Sequence, residues 1–174
     1  MEQQTIIFIG RSGSGKGTQA DLLEAYLKKN DPEKSVFHMI TGNFLRELAK
    51  DGSYTASVLS HVLSNGLLVP DFLAVSVWGN FFIKNLKGKE HIITDGMPRK
   101  IMEATMLDGA FKFYKRGKPI VVFIDLSYES AVERLLLRKR ADDTKAAIEE
   151  RLKFYDNDVM PVIDYYRKSP DYHF

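Results

Sequence analysis

The segment that most constrains the fold of this chain is an apolar run followed by a glycine-rich turn and a helix. Residues 5–9 read TIIFI, which is typical of a strand buried on both faces of a parallel sheet. Residues 10–18 then read GRSGSGKGT and precede a helical pattern. Glycines let several backbone N–H groups converge on one anion, and a helix N-terminus adds positive potential. The sequence therefore predicts a phosphate-binding loop, with a tight glycine turn as the alternative.

Strand-like and helix-like segments alternate along the rest of the chain. Strands are predicted at residues 5–9, 36–40, 91–94 and 120–126. After the helix that follows the glycine loop, further helices are predicted at residues 43–49, 55–64, 71–86, 100–116, 127–139, 144–155 and 159–167. This alternation predicts an α/β domain with a parallel sheet, whose ligands bind beyond the carboxyl ends of the strands. A length of 174 residues suits one domain, residues 1–174.

Composition excludes several classes of protein. The chain has no cysteine, which excludes disulfide scaffolds, cysteine-ligated zinc and thiol nucleophiles. Its four histidines share no metal-ligand spacing, so we expect no zinc and structural roles for them. A formal net charge of +2 does not indicate nucleic acid. No apolar stretch is long enough for a membrane span and no secretory signal is visible, so we expect a soluble cytoplasmic protein.

Two further features of the glycine loop and its neighbourhood point to a nucleotide and a metal ion. Lys16 supplies a mobile charge for β- and γ-phosphates, but Gly17 stands where the strict pattern has serine or threonine, so Thr18 provides the hydroxyl. Asp95 ends an apolar strand, where a carboxylate suits a water-mediated Mg²⁺ contact. We therefore expect a phosphorylated nucleotide with Mg²⁺, held at Thr18 and Asp95. Its phosphates would contact Gly13, Ser14, Gly15, Lys16, Gly17 and Thr18.

The GKGT variant, together with the segments described next, resembles the adenylate kinases and their nucleoside-monophosphate kinase relatives. The resemblance runs from about residue 5 to 168, with Ser12 in place of the usual proline. It implies a three-layer P-loop NTPase fold with a central parallel sheet. It also implies a helical insertion at residues 41–70 that binds the nucleoside monophosphate, and a very short lid at residues 138–143. ATP and a nucleoside monophosphate would be the substrates of a monomer.

Three segments resemble the acceptor-binding stretches of that family: TGNFLR at 41–46, GLLVP at 66–70 and DGMPR at 95–99. The resemblance implies that Arg46 and Arg99 hold the acceptor phosphate and that Thr41 approaches its base or sugar. The other implied acceptor contacts are Leu67, Leu68, Val69, Gly96, Met97 and Pro98.

Position 103 departs from the family, because Glu103 stands where glutamine usually reads adenine. A carboxylate accepts hydrogen bonds but cannot donate to a ring nitrogen. A base that presents two donors, such as guanine, is therefore an alternative acceptor, and CMP, UMP and dTMP stay open as well. Alternatively, Glu103 is simply a solvated glutamate on a helix.

A group of arginines follows the fourth predicted strand. Arg134 and Arg138 share a helix face at i, i+4, which is unfavourable unless an anion lies between them. A solvated basic helix end and a nucleic-acid patch are the alternatives. The resemblance implies that Arg134 and Arg138 bind ATP and that Arg140 and Arg151 surround the transferred phosphoryl group and the acceptor. The catalytic set would then be Lys16, Arg99, Arg134, Arg140 and Arg151.

The lid itself is reduced to a few residues. Only Lys139 separates Arg138 from Arg140, and Ala141 precedes the acid pair at 142–143. We expect poorer exclusion of water and some ATP hydrolysis without acceptor, which a phosphate-release assay would detect. Relatives also continue past the position of Phe174 into a strand and helix whose loop helps to cover the ATP adenine.

Taken together, these segments predict transfer of a phosphoryl group from ATP to AMP. A nucleotide-binding or switch protein is one alternative, but it would not need the second set of cations at Arg46, Arg99, Arg140 and Arg151. A P-loop kinase for a small molecule other than a nucleotide is another, and the three acceptor segments argue against it.

Overall fold

The computed structural model describes residues 1–138, 140 and 143–174. Its sheet has four strands: β1 (Thr5–Ile9), β2 (Val36–Ile40), β3 (His91–Asp95) and β4 (Ile120–Phe123). All neighbours pair in parallel, in the order β2-β3-β1-β4. The predicted α/β class and the parallel sheet are confirmed.

Eight α-helices and one π-helical turn are present in the described part of the chain. The helices are α1 (Lys16–Asn30), α2 (Thr41–Leu48), α3 (Tyr54–Ser64), α4 (Asp71–Asn85), α5 (Ile101–Phe113), α6 (Tyr128–Arg138), α7 (Lys145–Phe154) and α8 (Met160–Lys168). The π-helical turn, Tyr155–Val159, joins α7 to α8. No described helix has the length and apolar character that a membrane crossing requires.

The sheet is buried on both faces, because successive side chains of β1 point to opposite sides and both sets are apolar. Ile6 and Phe8 pack with Ala20 and Leu27 of α1. The opposite face carries a larger core, built from β-strand residues and from apolar side chains of α4, α5 and α8. The result is three layers, as the resemblance implies.

The carboxyl ends of three adjacent strands bring the predicted motifs to one edge of the sheet. The glycine loop follows β1, α2 begins directly after β2, and Gly96 follows β3. Segment 41–70 forms α2, α3 and the start of a loop into α4, with its own small core at Leu45, Leu59 and Val69. This arrangement places the loop and the predicted acceptor segments around a common cleft.

Strand β4 is shorter than predicted and ends at Phe123 rather than residue 126. Its neighbour β1 ends at Ile9. The last backbone hydrogen bond between the two segments runs from the Ile124 N–H to the Ile9 carbonyl, at 3.0 Å. Beyond that point the glycine loop turns away, so residues 125 and 126 have no strand to pair with.

Helix α5 also ends early, at Phe113 instead of residue 116. Lys115 adopts a left-handed conformation, with φ of 52°. The Arg116 side chain then turns inward and donates to the Thr5 hydroxyl at 2.9 Å and to the Glu90 carbonyl at 2.6 Å. Arg116 therefore lies outside the helix that was predicted to include it, and its buried side chain connects β1 to the residue before β3.

The predicted break between the last two helices is absent, because the π-helical turn connects α7 and α8 without interruption. Residues 156–158, which lie between the two predicted helices, take an i→i+5 turn. The predicted lid covers Lys139, Ala141 and Asp142, which lie outside the described residues.

Candidate active site

The glycine loop has the backbone conformation of an anion cradle. Gly13 and Gly15 have φ of 84° and 96°, values that side chains other than glycine rarely adopt. At Gly13 a β-carbon would also lie 3.1 Å from the Ala131 carbonyl. Gly15 precedes α1 and offers no side-chain cap, so the first N–H groups of the helix are left for a ligand.

Lys16 folds back over this loop. Its Nζ donates to the carbonyls of Gly10 and Arg11, at 2.9 and 2.8 Å. Burial lowers the pKa of Lys16 to about 8; Asp95 opposes this change, while Arg99 and Arg138 add to it. Burial and the nearby arginines thus disfavour the charged form of the Lys16 ammonium group. The negative charge of bound phosphates would stabilise that form.

The glycine after the lysine has a steric explanation. A β-carbon at position 17 would lie 3.2 Å from Asp95 Oδ2, so a side chain directly after Lys16 would crowd the carboxylate. The hydroxyl is displaced by one residue to Thr18, which lines the same cleft as Asp95. One hydroxyl and one carboxylate, with room for water and phosphate, fit the preference of Mg²⁺ for few protein ligands.

The cleft around the loop encloses about 500 Å³, a size suited to a nucleotide. It is lined by the cations Lys16, Arg46, Arg99, Arg134, Arg138 and Arg140 and by the acids Asp21 and Asp95. Such a surplus of positive charge in a concave site favours a polyanion.

A second cavity of about 90 Å³ adjoins the cleft. One wall is apolar and contains Leu45, Leu63, Leu67 and Val69. The other contains Arg46, Arg99, Arg138, Arg140 and Arg151. Four of these arginines line both cavities, which therefore meet across a shared wall of positive charge. An apolar wall opposite cations suits a base joined to a phosphate.

Arg46 is positioned by two nearby residues of its own motif. Its Nη2 donates to Asn43 Oδ1 at 2.6 Å. Gly42 lies against the guanidinium, because a β-carbon there would lie 3.3 Å from Nη1. Thr41 is buried, and its hydroxyl has no partner among the described residues. Thr41 is not among the residues that line the two cavities, although its neighbour Gly42 lines both.

Arg99 and Glu103 form one unit at the start of α5. Arg99 Nε donates to the Gly96 carbonyl, and its backbone N–H donates to Glu103 Oε2, both at 3.1 Å. Glu103 is only 4% exposed, so its interpretation as a solvated glutamate is wrong. Burial raises the pKa of Glu103, against the hydrogen bond from Arg99.

Not every predicted site residue reaches the two main cavities. Met97 is a core residue, and with Pro98 it lines a small inner cavity of about 30 Å³ that also contains Arg151. Leu68 lines a separate groove of about 250 Å³ together with Leu67. The Ser14 hydroxyl is buried without a partner among the described residues.

Asp143 holds two of the arginines, a role that sequence reasoning missed. Arg138 donates to both of its carboxylate oxygens at 2.8 Å, and Arg151 Nη1 donates to Oδ1 at 2.5 Å. The Asp143 side chain is 1% exposed. Burial acts to raise the pKa of Asp143, but the hydrogen bonds from the arginines outweigh it and lower the pKa. Its position within an acid pair beside arginines was the available signal.

Arg11 of the glycine loop is a second residue, after Asp143, whose contacts sequence reasoning missed. Its guanidinium lies 3.9 Å from the centre of the Tyr155 ring. Nε donates to the Leu126 carbonyl at 3.3 Å, and Nη2 lies 3.6 Å from Asp156 Oδ1. Arg11 thus connects the glycine loop to the helical segment that carries Arg151. No local pattern indicates a contact across so many residues.

Comparisons with known proteins agree with this geometry. The sequence model of one family, adenylate kinase, matches residues 8–170. An adenylate kinase of the cyanobacterium Prochlorococcus marinus is 32% identical, covering 94% of this chain and 85% of the relative. Adenylate kinase 1 of Nostoc sp. is 35% identical, covering 92% of this chain and 83% of the relative. The chain therefore belongs to the adenylate kinase family of phosphotransferases.

Proposed function

We propose that this enzyme reversibly transfers the γ-phosphoryl group of ATP to AMP, forming two ADP. The observation that carries the proposal is the shared wall of the two cavities. Arg46, Arg99, Arg138 and Arg140 face both the cleft of the glycine loop and the smaller pocket. Two phosphorylated substrates can therefore meet at one set of cations, which a protein that only binds a nucleotide does not need.

The chemistry demands little beyond position and charge. The acceptor phosphate is already anionic, so no general base is required, and the transition state spreads charge over the equatorial oxygens. Lys16 and the arginines neutralise that charge in a cleft that is preorganised to receive it. Thr18 and Asp95 would hold Mg²⁺, which would neutralise part of the charge on the ATP phosphates.

The arginines divide between the substrates by location. We assign Arg134 to ATP because it lines the larger cleft and not the smaller cavity, and Arg138 with it because the two share a face of α6. Arg46 and Arg99 would hold the acceptor phosphate beside the apolar wall, and Arg140 and Arg151 would contact the transferred group. One chain supplies both cavities, which supports a monomeric enzyme, and we place it in the cytoplasm.

A substitution at Glu103 tests which base the acceptor nucleotide carries. We expect AMP to be the best acceptor among AMP, GMP, CMP, UMP and dTMP. Because an amide can donate to a ring nitrogen and a carboxylate cannot, Glu103→Gln should raise the preference for AMP over GMP by about tenfold. The measurement is a coupled assay of ADP formation, with kcat/KM determined for each acceptor.

Glu47→Gln is the matched control, since Glu47 is an exposed helix glutamate paired with Lys50 at 2.7 Å. It should leave the acceptor profile unchanged. If Glu103→Gln also leaves the profile unchanged, Glu103 does not read the base. If the wild-type enzyme prefers GMP, AMP is wrong as the proposed acceptor and GMP takes its place.

A further inference from the structure

A cluster of three metal-ligating side chains lies on the surface where α1 packs against β2. Asp21 and Glu24 are three residues apart on α1 and so share one face of that helix. His38 is the central residue of β2. One ligand atom from each of the three lies within 4.8 Å of the other two. We call Asp21, Glu24 and His38 the α1–β2 cluster. Spacing among histidines alone could not reveal it, because its members come from two elements.

The separations within the α1–β2 cluster match those of ligands around a small metal ion. His38 Nδ1 lies 2.9 Å from Glu24 Oε2 and 3.6 Å from Asp21 Oδ1. With metal–ligand bonds of about 2.0–2.1 Å, two ligands of a tetrahedral ion are about 3.3 Å apart. The two observed distances lie on either side of that value, so small side-chain movements would complete the geometry.

Two of the three ligand atoms are hydrogen-bonded to each other: His38 Nδ1 lies 2.9 Å from Glu24 Oε2, a contact that a bound metal ion would replace. Lys28 Nζ lies 2.6 Å from Glu24 Oε1, so the second oxygen, Oε2, remains to face His38. Burial acts to raise the pKa of Glu24, but hydrogen bonds from Lys28 and His38 outweigh it and lower the pKa. The carboxylate is thus ionised at neutral pH, as a metal ligand must be.

The histidine ring is held from one side only. The His38 side chain is 5% exposed, and its Nε2 has no hydrogen-bond partner among the described residues. The polar contacts of the ring within the described part of the chain are with the two carboxylates, through Nδ1. Nδ1 is therefore the ring nitrogen that an ion between the carboxylates would meet, and Nε2 would then carry the ring proton.

The cluster also has an entry path and an open coordination position. The Asp21 side chain is 70% exposed and lies at the edge of the nucleotide cleft, whereas Glu24 is 23% exposed. An ion could enter from the solvent beside Asp21, and water could occupy the fourth position. One nitrogen and two carboxylate ligands suit Zn²⁺ and similar transition metals better than Mg²⁺, which prefers oxygen ligands alone.

We propose that Asp21, Glu24 and His38 bind one divalent transition-metal ion, best matched by Zn²⁺, at a site separate from that of the substrate-bound Mg²⁺. The ion would join the first turns of α1, which carry Lys16 and Thr18, to strand β2. Because it would bind the folded protein and bridge two elements, it would raise the stability of the fold.

The test is a calorimetric titration of the full chain with Zn²⁺, without nucleotide and after removal of metals by a chelator. We expect one equivalent to bind with a dissociation constant in roughly the micromolar range, and the thermal midpoint to rise by a few degrees. Asp21→Asn and His38→Gln should each weaken binding by about tenfold or more. Asp21 is exposed, so its variant tests the site even if His38→Gln does not fold.

Two further variants separate the cluster from other sites. His61→Gln, which removes an exposed histidine of α3, should bind Zn²⁺ as the wild type does. Asp95→Asn should also retain binding, because Asp95 belongs to the proposed Mg²⁺ site. Co²⁺ should give the visible absorption of a four-coordinate complex in the wild type and lose it in Asp21→Asn. The proposal is overturned if the wild type binds no stoichiometric Zn²⁺, if Asp21→Asn binds normally, or if Asp95→Asn alone abolishes binding.

Discussion

At the scale of single residues, the candidate site contains cations whose charged form is disfavoured by burial, which lowers the pKa of Lys16 and of Arg99. Lys16 shows this most clearly, because burial lowers its pKa to about 8 and nearby arginines act in the same direction. A group with a lowered pKa is partly neutral at the upper end of the physiological range. Phosphate oxygens favour its charged form, so ATP binding must change its protonation.

We predict that ATP binding takes up protons at pH 8 but hardly at pH 7. If bound phosphates return the pKa of Lys16 to its ordinary range, uptake is about 0.5 proton at pH 8 and about 0.1 at pH 7. ATP affinity should fall as the pH rises above 8. Calorimetry in buffers of different ionisation enthalpy measures the uptake directly.

Lys16→Arg is the matched variant for this measurement, because arginine stays protonated throughout this pH range. It should show no uptake assigned to this position. Equal uptake in Lys16→Arg and in the wild type would mean that another group titrates, and the account of Lys16 would be wrong.

Asp143 is the second residue that carries a prediction. Its carboxylate holds Arg138 and Arg151 together, and misplacement of such groups by about 1 Å can cost about 100-fold in rate. We expect Asp143→Asn to lower kcat by about 10- to 100-fold in a coupled ADP assay. Asp164→Asn, which breaks an exposed pair with Arg167, is the control. If Asp143→Asn has the same kcat as the control, Arg138 and Arg151 do not need Asp143 to hold them in position.

The positions of site residues could be predicted from the sequence where they depend on short motifs, whereas their roles remain predictions. Lys16, Arg46 and Arg99 lie on cavity walls as the spacing of their motifs indicates. Asp143 and Arg11 act through partners that are distant in sequence or lie on other elements, which spacing cannot show. The burial of Met97 in the core could not be predicted, because only the packing shows it.

At the scale of elements, the glycine loop is joined to the last helical segment by Arg11. Its guanidinium lies over the Tyr155 ring at 3.9 Å, and Tyr155 begins the π-helical turn after α7. Arg151 is one turn earlier on α7. The glycine loop and the helix that carries Arg151 are therefore linked by a contact between a buried ring and a mostly buried cation.

This contact predicts energetic coupling between the two elements. In a double-mutant cycle with Arg11→Ala and Tyr155→Leu, we expect a coupling free energy of about 1–2 kcal/mol. Urea unfolding of the wild type, both single variants and the double variant measures it. The control cycle uses Arg167 and Phe174, which are 5.1 Å apart at the surface, and should give a smaller coupling. If the Arg11 and Tyr155 substitutions change the free energy of unfolding additively, the two elements are not coupled by this contact.

The ends of elements were harder to predict than their existence. The first two strands have the predicted bounds, because their apolar runs are bordered by polar or glycine residues. Strand β4 ends early because its neighbour does, and α5 ends early because Arg116 turns into the protein. Both causes are tertiary contacts, which local propensity does not contain.

At the scale of the whole molecule, positive charge is concentrated where the substrates would bind. Seven cations are assigned to phosphates: Lys16, Arg46, Arg99, Arg134, Arg138, Arg140 and Arg151. Without these seven the formal charge changes from +2 to −5. The small net charge therefore conceals an acidic body with one basic cleft, which attracts anionic substrates to that cleft.

The most direct test of the central claim follows a labelled acceptor. Wild-type enzyme is mixed with ATP, Mg²⁺ and AMP labelled in its base, and the nucleotides are separated by chromatography. We predict that the label moves from AMP to ADP and that two ADP form for each ATP consumed. In Lys16→Ala and Arg99→Ala, each of which removes a cation of the shared cleft, transfer should fall by about 100-fold or more. If the label stays in AMP while ATP is unchanged or only hydrolysed, phosphoryl transfer between the two pockets is contradicted.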